Sequence, residues 1–291
     1  MCNDYYQPVV PASSGAVSLP LARAGRRAAI LPSSRGMATK IHQTVKSERG
    51  VRGGRRLDVE FRAGGDEVPG ILLLPEKTPG GGVLLLHGYS SRREHMADGV
   101  GESLLRHGLA SLSIDLPLHG SRHDPLQAQS ARNPLAVFGL WRQAVRECRL
   151  AFHYLGARAE VDRGCMGVAG YSLGSYLAVM LAADEPGVRA VVLAAGGDLP
   201  GQTPLAAVAR TIADPLRAVR RLDGRPLLMI HGKNDRTVTP AQARRLFEAA
   251  QEPKEIRWWP SGHRLPPEAI DYAAEWLVTQ LGRPKRHRAA G

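Results

Sequence analysis

Gly170-Tyr171-Ser172-Leu173-Gly174 constrains this chain more than any other stretch. A serine that is to act as a nucleophile must stand clear of a sheet edge on a tight turn from strand to helix. Such a turn strains the serine backbone and crowds the residues two before and two after it, so both must be small. The flanks suit that geometry. Gly164-Cys165-Met166-Gly167-Val168-Ala169 is a short apolar run of the kind that forms a buried strand. Residues 173–183 are rich in Ala, Leu and Met, as in a helix packed close to a sheet. Small residues around a serine are common, but between a buried strand and a buried helix they predict a presented nucleophile.

The chain around this turn reads as alternating strands and helices. Residues 57–61 alternate like a half-exposed strand, and 70–74 follow after a Gly-rich turn, which predicts an antiparallel pair at a sheet edge. The run 83–86 is apolar throughout, as a strand covered on both faces is, and 109–114, 188–193 and 226–230 read as further strands. A last strand is expected at 255–259. Helices are expected at 94–107, 138–155, 240–250 and 266–281, with a further helical segment at 204–222. The sum is an α/β fold: a mostly parallel twisted sheet, helices on both faces, and an antiparallel strand pair at the N-terminal edge. Only 204–222 leaves room for a lid, so any cap is small.

Residues 1–50 differ from the rest in being rich in Ser, Pro, Gly, Ala and Arg, with no acidic residue between Asp4 and Glu48. They read as a disordered leader before a domain at 51–282, with 283–291 a basic tail. A secretory signal needs an apolar core of roughly 7–15 residues, and Ala28-Ala29-Ile30-Leu31 is too short for that or for a twin-arginine signal. An organelle transit peptide and a start at Met37 are the alternatives for the leader. No run approaches the roughly 18 apolar residues of a membrane span. Cys2, Cys148 and Cys165 show no paired spacing and read as reduced thiols, which points to the cytoplasm. The net charge of +12 comes from arginine scattered along the chain, without any nucleic-acid-binding motif beside it. It reads as a solvated surface, not as a specific nucleic-acid site.

The candidate site residues follow from chain order. In a strand-turn-helix serine site the acid and then the histidine come after the serine. His231 closes a strand with no suitable acid just ahead of it, and His287 lies in the basic tail. His263, in the loop after the last strand, is the candidate base. Asp235, beyond the penultimate strand, is the candidate acid, with Asp198 after the preceding strand as its rival. His87-Gly88-Tyr89 ends a buried strand, and a glycine there lets backbone amides turn into a cleft. The backbone N–H groups of Tyr89 and Leu173 are therefore the candidate oxyanion donors. Asp115 precedes the serine and is expected to hold its own loop, and His119 is expected to be structural. The polar loop at 121–134 is a candidate wall for an acyl or alcohol pocket.

Taken together, His87-Gly88-Tyr89, Gly170-Tyr171-Ser172-Leu173-Gly174, His231-Gly232-x-x-Asp235 and Gly262-His263 resemble the α/β-hydrolase superfamily over about residues 55–281. The leading strand pair and minimal cap look most like its dienelactone-hydrolase and prolyl-oligopeptidase-like esterase branch. The chain departs from dienelactone hydrolases in carrying serine as the nucleophile, and it lacks the large extra domain of the oligopeptidases. The resemblance implies a serine esterase working through an acyl-enzyme on a small-molecule ester, without metal or organic cofactor and without a membrane partner. A thioesterase or acyltransferase would use the same three residues. A catalytically silent hydrolase fold that binds a partner is the alternative from another class.

Overall fold

Continuous apolar runs build the middle of the molecule. The computed structural model describes residues 26–31, 39–63, 65–77, 80–122, 134–201, 210–211 and 213–282. Its strands are β1 (Arg26–Leu31), β2 (Thr39–Val51), β3 (Gly54–Ala63), β4 (Asp66–Pro75), β5 (Gly80–Leu86), β6 (Ala110–Ile114), β7 (Val161–Tyr171), β8 (Val188–Ala194), β9 (Leu227–Gly232) and β10 (Lys254–Trp259). They form one sheet in the order β1-β2-β3-β4-β6-β5-β7-β8-β9-β10. From β6 to β10 every pairing is parallel. From β1 to β4, and across β4–β6, every pairing is antiparallel.

Helices cover both faces of the parallel half. α3 (Pro134–Gly156), α4 (Leu173–Asp184), the short α5 (Pro215–Val219) and α6 (Pro240–Ala249) bury one face. The other face is covered by α7 (Pro267–Leu281) and by the segment 93–106, where α1 (Arg93–Met96) and α2 (Glu102–Arg106) flank a wider turn at 97–101. The doubly wound parallel sheet read from the apolar runs is thus the observed fold. Because the chain steps from β5 to β6 in one direction and then back past β5 to β7, the sheet reverses between β5 and β7. Ligand sites in open α/β sheets form beyond the carboxyl ends of strands at such a reversal. No helix among the described residues is long and apolar enough to cross a membrane.

The N-terminal edge differs from the sequence reading. Residues 26–31 and 39–50 fall within the expected leader, yet they belong to strands β1 and β2, so the edge carries four antiparallel strands in place of a pair. β2 hides because its apolar signal is sparse. Val45 pairs with Val59, a register shift follows, and residues 46–50 are exposed and polar. The backbone ladder that recruits β1 to β2 is one that almost any side chains permit. The rest of the leader, Cys2 and the tail at 283–291 lie outside the described residues. So do residues 123–133 of the expected pocket loop and 202–209 of the expected lid segment. Cys165 is half-buried near the entry of β7, short of the core position expected for it, while Cys148 is fully buried and free.

Candidate active site

Ser172 sits between β7 and α4 with φ 50° and ψ −112°, a conformation that an L-residue adopts at a cost of about 1–3 kcal/mol. Its two peptide groups hold it there. The Ser172 N–H donates to the Ala194 carbonyl at the end of β8 (2.8 Å), and the Ser175 Oγ–H and N–H both donate to the Ser172 carbonyl. The need for small flanking residues is visible as distances. A Cβ on Gly170 would lie 2.1 Å from the Gly174 carbonyl oxygen, and one on Gly174 would lie 2.1 Å from that of Leu86. No side chain fits either gap.

The loop after β9 delivers Asp235. Gly232 lets it lie flush against the loop after β10, because a Cβ there would meet the Gly262 carbonyl at 2.1 Å. Two backbone bonds then join the loops: Lys233 N–H donates to the Trp259 carbonyl and Asn234 N–H to that of Ser261. Asp235 is buried, and its Oδ1 accepts the N–H groups of Thr237 and Val238 (2.8 and 3.0 Å). Its Oδ2 accepts the His263 Nδ1–H at 2.8 Å. With Nδ1 donating, His263 Nε2 is an acceptor, and it lies 3.0 Å from Ser172 Oγ. The structure therefore brings Ser172, His263 and Asp235 into one hydrogen-bonded chain.

Asp198, the rival acid, lies elsewhere. It is equally buried, but its carboxylate is taken by Arg210, by Arg245 and by the Leu199 N–H. Arg210, Arg245, Leu199 and Leu216 line a cleft of about 520 Å3 beyond the carboxyl end of β8, with Asp198 and Gly201 at its wall. Tyr176, one turn beyond Ser172 on α4, reaches the Asp198 carbonyl with its hydroxyl. Burial and the nearby Asp198 and Asp235 carboxylates push its phenol up to about 12.

The candidate oxyanion donors flank the serine. Leu173 is the first residue of α4, so its N–H lacks an intrahelical acceptor and faces the helix N-terminus, where negative charge is favoured. Tyr89 follows Gly88, and Gly88 is close enough that a Cβ on it would come within 3.4 Å of the Ser172 Cβ. His87 is fully buried and fixes this loop: Nδ1–H donates to the Gly88 carbonyl, and Nε2 accepts the Leu116 N–H. Burial holds its imidazole neutral, with a pKa lowered to about 4. Asp115 does what the sequence suggested, accepting from Arg93 and from the N–H and hydroxyl of Ser121. His119 is nearly buried, its Nδ1–H donated to the Pro117 carbonyl and its ring against the edge of Tyr89. Burial lowers its pKa as well.

Sequence reasoning missed His231 as a support. It is buried behind Asp235, its Nε2–H donates to the Val238 carbonyl at 2.9 Å, and burial lowers its pKa. That bond closes the turn in which Asp235 sits. Its place four residues before the acid was the available signal. Among the described residues no group of three or more His, Cys, Asp or Glu is placed to hold a metal ion.

No curated protein matches the chain. Solved structures of similar fold include TT1662 from Thermus thermophilus, with 24% identity and a TM-score of 0.65 over 82% of this chain and all of that one. Acetyl xylan esterase 1 from Thermoanaerobacterium sp. JW/SL YS485 has 20% identity and a TM-score of 0.68, over 82% and 87% of the two chains. The acetyl xylan esterase from Paenibacillus sp. R4 has 19% identity and a TM-score of 0.69, over 83% and 89%. At such identities the likeness shows the α/β-hydrolase fold. The family model described as serine hydrolase (FSH1) matches residues 81–272, which run from β5 into α7 and include every residue of the hydrogen-bonded chain. The chain belongs to the FSH1 family of serine hydrolases.

Proposed function

We propose that the protein hydrolyses carboxylic esters through an acyl-enzyme on Ser172, with His263 as general base and acid and Asp235 as its orienting carboxylate. The observation that carries this reading is the unbroken chain from Ser172 Oγ through His263 to Asp235, at 3.0 and 2.8 Å. His263 Nε2 takes the hydroxyl proton as Oγ attacks the ester carbonyl. Asp235 keeps the imidazole in the right tautomer and stabilises the imidazolium that forms. The tetrahedral oxyanion is received by the N–H groups of Tyr89 and Leu173, each worth about 10²–10³ in rate. Collapse expels the alcohol, which leaves with the proton from His263. Water then repeats the sequence on the acyl-enzyme, releasing the acid and freeing Ser172.

The short run of chain between β8 and β9 leaves little room for a cap, which supports esters with small or short acyl groups. That solved structures of similar fold include esterases is consistent with an ester substrate. The test is hydrolysis of p-nitrophenyl esters from acetyl to decanoyl by the folded protein. Turnover is expected, with kcat/KM highest for the shortest chains. A maximum at decanoyl overturns the short-acyl assignment, and no turnover of any ester overturns the ester reading.

A further inference from the structure

Tyr171 occupies the variable position of the elbow, immediately before the nucleophile, and the reaction described above gives it no role. Its side chain is nevertheless placed with care. The partly buried ring packs against the apolar cluster on the α7 side of the sheet, the cluster that includes Ala169 and Leu265. From that anchorage the hydroxyl crosses to the loop carrying His263. Tyr171 Oη donates to the His263 backbone carbonyl, and the same oxygen accepts the Leu265 N–H at 3.3 Å. The ring also meets the His263 imidazole edge-on, with centroids 5.8 Å apart and planes at 67°.

The start of the His263 loop is held where Asn234 donates to the Ser261 carbonyl, Leu265 is buried in the apolar cluster on the α7 side, and the fold resumes at α7. Between those points, among the described residues, no backbone–backbone hydrogen bond reaches His263 or Leu265. The imidazole must nonetheless hold Ser172 Oγ at 3.0 Å and Asp235 Oδ2 at 2.8 Å together. A phenol is a stiff lever with two torsions, and this one grows from the residue peptide-bonded to the nucleophile.

We propose that Tyr171 is a positioning residue that ties the His263 loop to the elbow, so that base and nucleophile are located by one dipeptide. This rests on the reading of Ser172 and His263 as nucleophile and base. Tyr171 touches no reacting atom and acts through the backbone just after the base, at the His263 carbonyl and the Leu265 N–H. A displacement of about 1 Å in such an array costs on the order of 10²-fold in rate. Tyr171→Phe keeps the ring and its packing and removes both hydrogen bonds.

The test uses the full chain and a fluorophosphonate probe, in which Ser172 Oγ bonds to phosphorus, fluoride leaves and the hydroxyl proton passes to His263. The wild type is expected to be labelled at Ser172 and Ser172→Ala not at all. Tyr171→Phe is expected to be labelled roughly 10- to 100-fold more slowly. On the best p-nitrophenyl ester its kcat should fall by a similar factor while KM stays within about twofold, the signature of lost alignment. The downfield proton resonance of the His263 Nδ1–H should broaden in the variant. Wild-type labelling rate, kcat and resonance in a folded Tyr171→Phe overturn the tether. Should the variant not fold, amide exchange of Leu265 in the wild type decides: protection supports the tether, and exchange at the unstructured rate overturns it. A wild type that the probe leaves unlabelled sinks the hydrolase reading instead, while the Leu265 amide still reports on the tether.

Discussion

The loops after β8 and β9 each bring a buried aspartate to the same edge of the sheet, and the two are put to different uses. Asp198 and Asp235 are equally hidden, each 2% exposed. Asp198 is saturated by permanent cations: Arg210 and Arg245 both bond its carboxylate. Asp235 accepts backbone N–H groups and the His263 imidazole, with His231 Nε2 3.5 Å from its Oδ2, and among the described residues meets no guanidinium. A carboxylate already neutralised by guanidinium has little left to offer a histidine that, in the proposed reaction, gains and loses a proton in each cycle. One held by neutral amides keeps its charge for that partner. Burial therefore does not distinguish the two acids; the partners do. A second pair of residues repeats the contrast. Both nitrogens of His87 are spent on backbone groups, whereas those of His263 face a hydroxyl and a carboxylate.

The largest effect expected from this contrast is that of Asp235→Asn, which keeps the shape but lets the imidazole settle in the wrong tautomer. Ester turnover should fall by about 10⁴ in kcat with the fold intact by circular dichroism. A loss below tenfold would show that the acid is supplied from elsewhere.

Next comes the histidine pair. His87 is held near pKa 4 in the fold against an ordinary 6.5, so it stays neutral while the unfolded chain takes up a proton. The stability it supports is complete above pH 6.5 and is lost as the pH falls toward 4, by about 3 kcal/mol. Thermal unfolding from pH 7 to 4 should show a steeper fall in Tm for the wild type than for His87→Gln. Parallel curves would mean that His87 is not held neutral.

Asp198→Asn should do the reverse of Asp235→Asn. It leaves two half-exposed arginines without their shared counter-ion, for a loss of about 2 kcal/mol and roughly 4–8 °C in Tm. Turnover should stay within about threefold of the wild type. If kcat instead collapses while Tm holds, the roles of the two acids have been exchanged. The smallest effect is that of Arg245→Gln, whose side chain is half in water. A change under about 1 kcal/mol in urea unfolding is expected, with activity unaltered.

Much of this was legible in the sequence because it is dictated locally. The elbow announces itself through Gly170 and Gly174, whose missing Cβ atoms are what allow the turn. Gly232 plays the same part in joining the loops of Asp235 and His263, and the apolar runs foretell β5, β8 and β9. What escaped notice depends on contacts between segments distant in the chain. Nothing local says that Arg210 and Arg245 converge on Asp198, or that a tyrosine beside the nucleophile reaches past it to Leu265. β2 escaped for another reason. Its exposed half carries charges that read as solvent-facing chain whether or not a ladder forms beneath them.

The most direct test of the central claim, an acyl-enzyme on Ser172, is rapid-quench mass spectrometry of the protein mixed with p-nitrophenyl acetate. The account predicts a stoichiometric burst of p-nitrophenol together with an acetyl mass on the peptide containing Ser172, both absent in Ser172→Ala. Turnover that persists in Ser172→Ala, with no adduct on that peptide in the wild type, would contradict it.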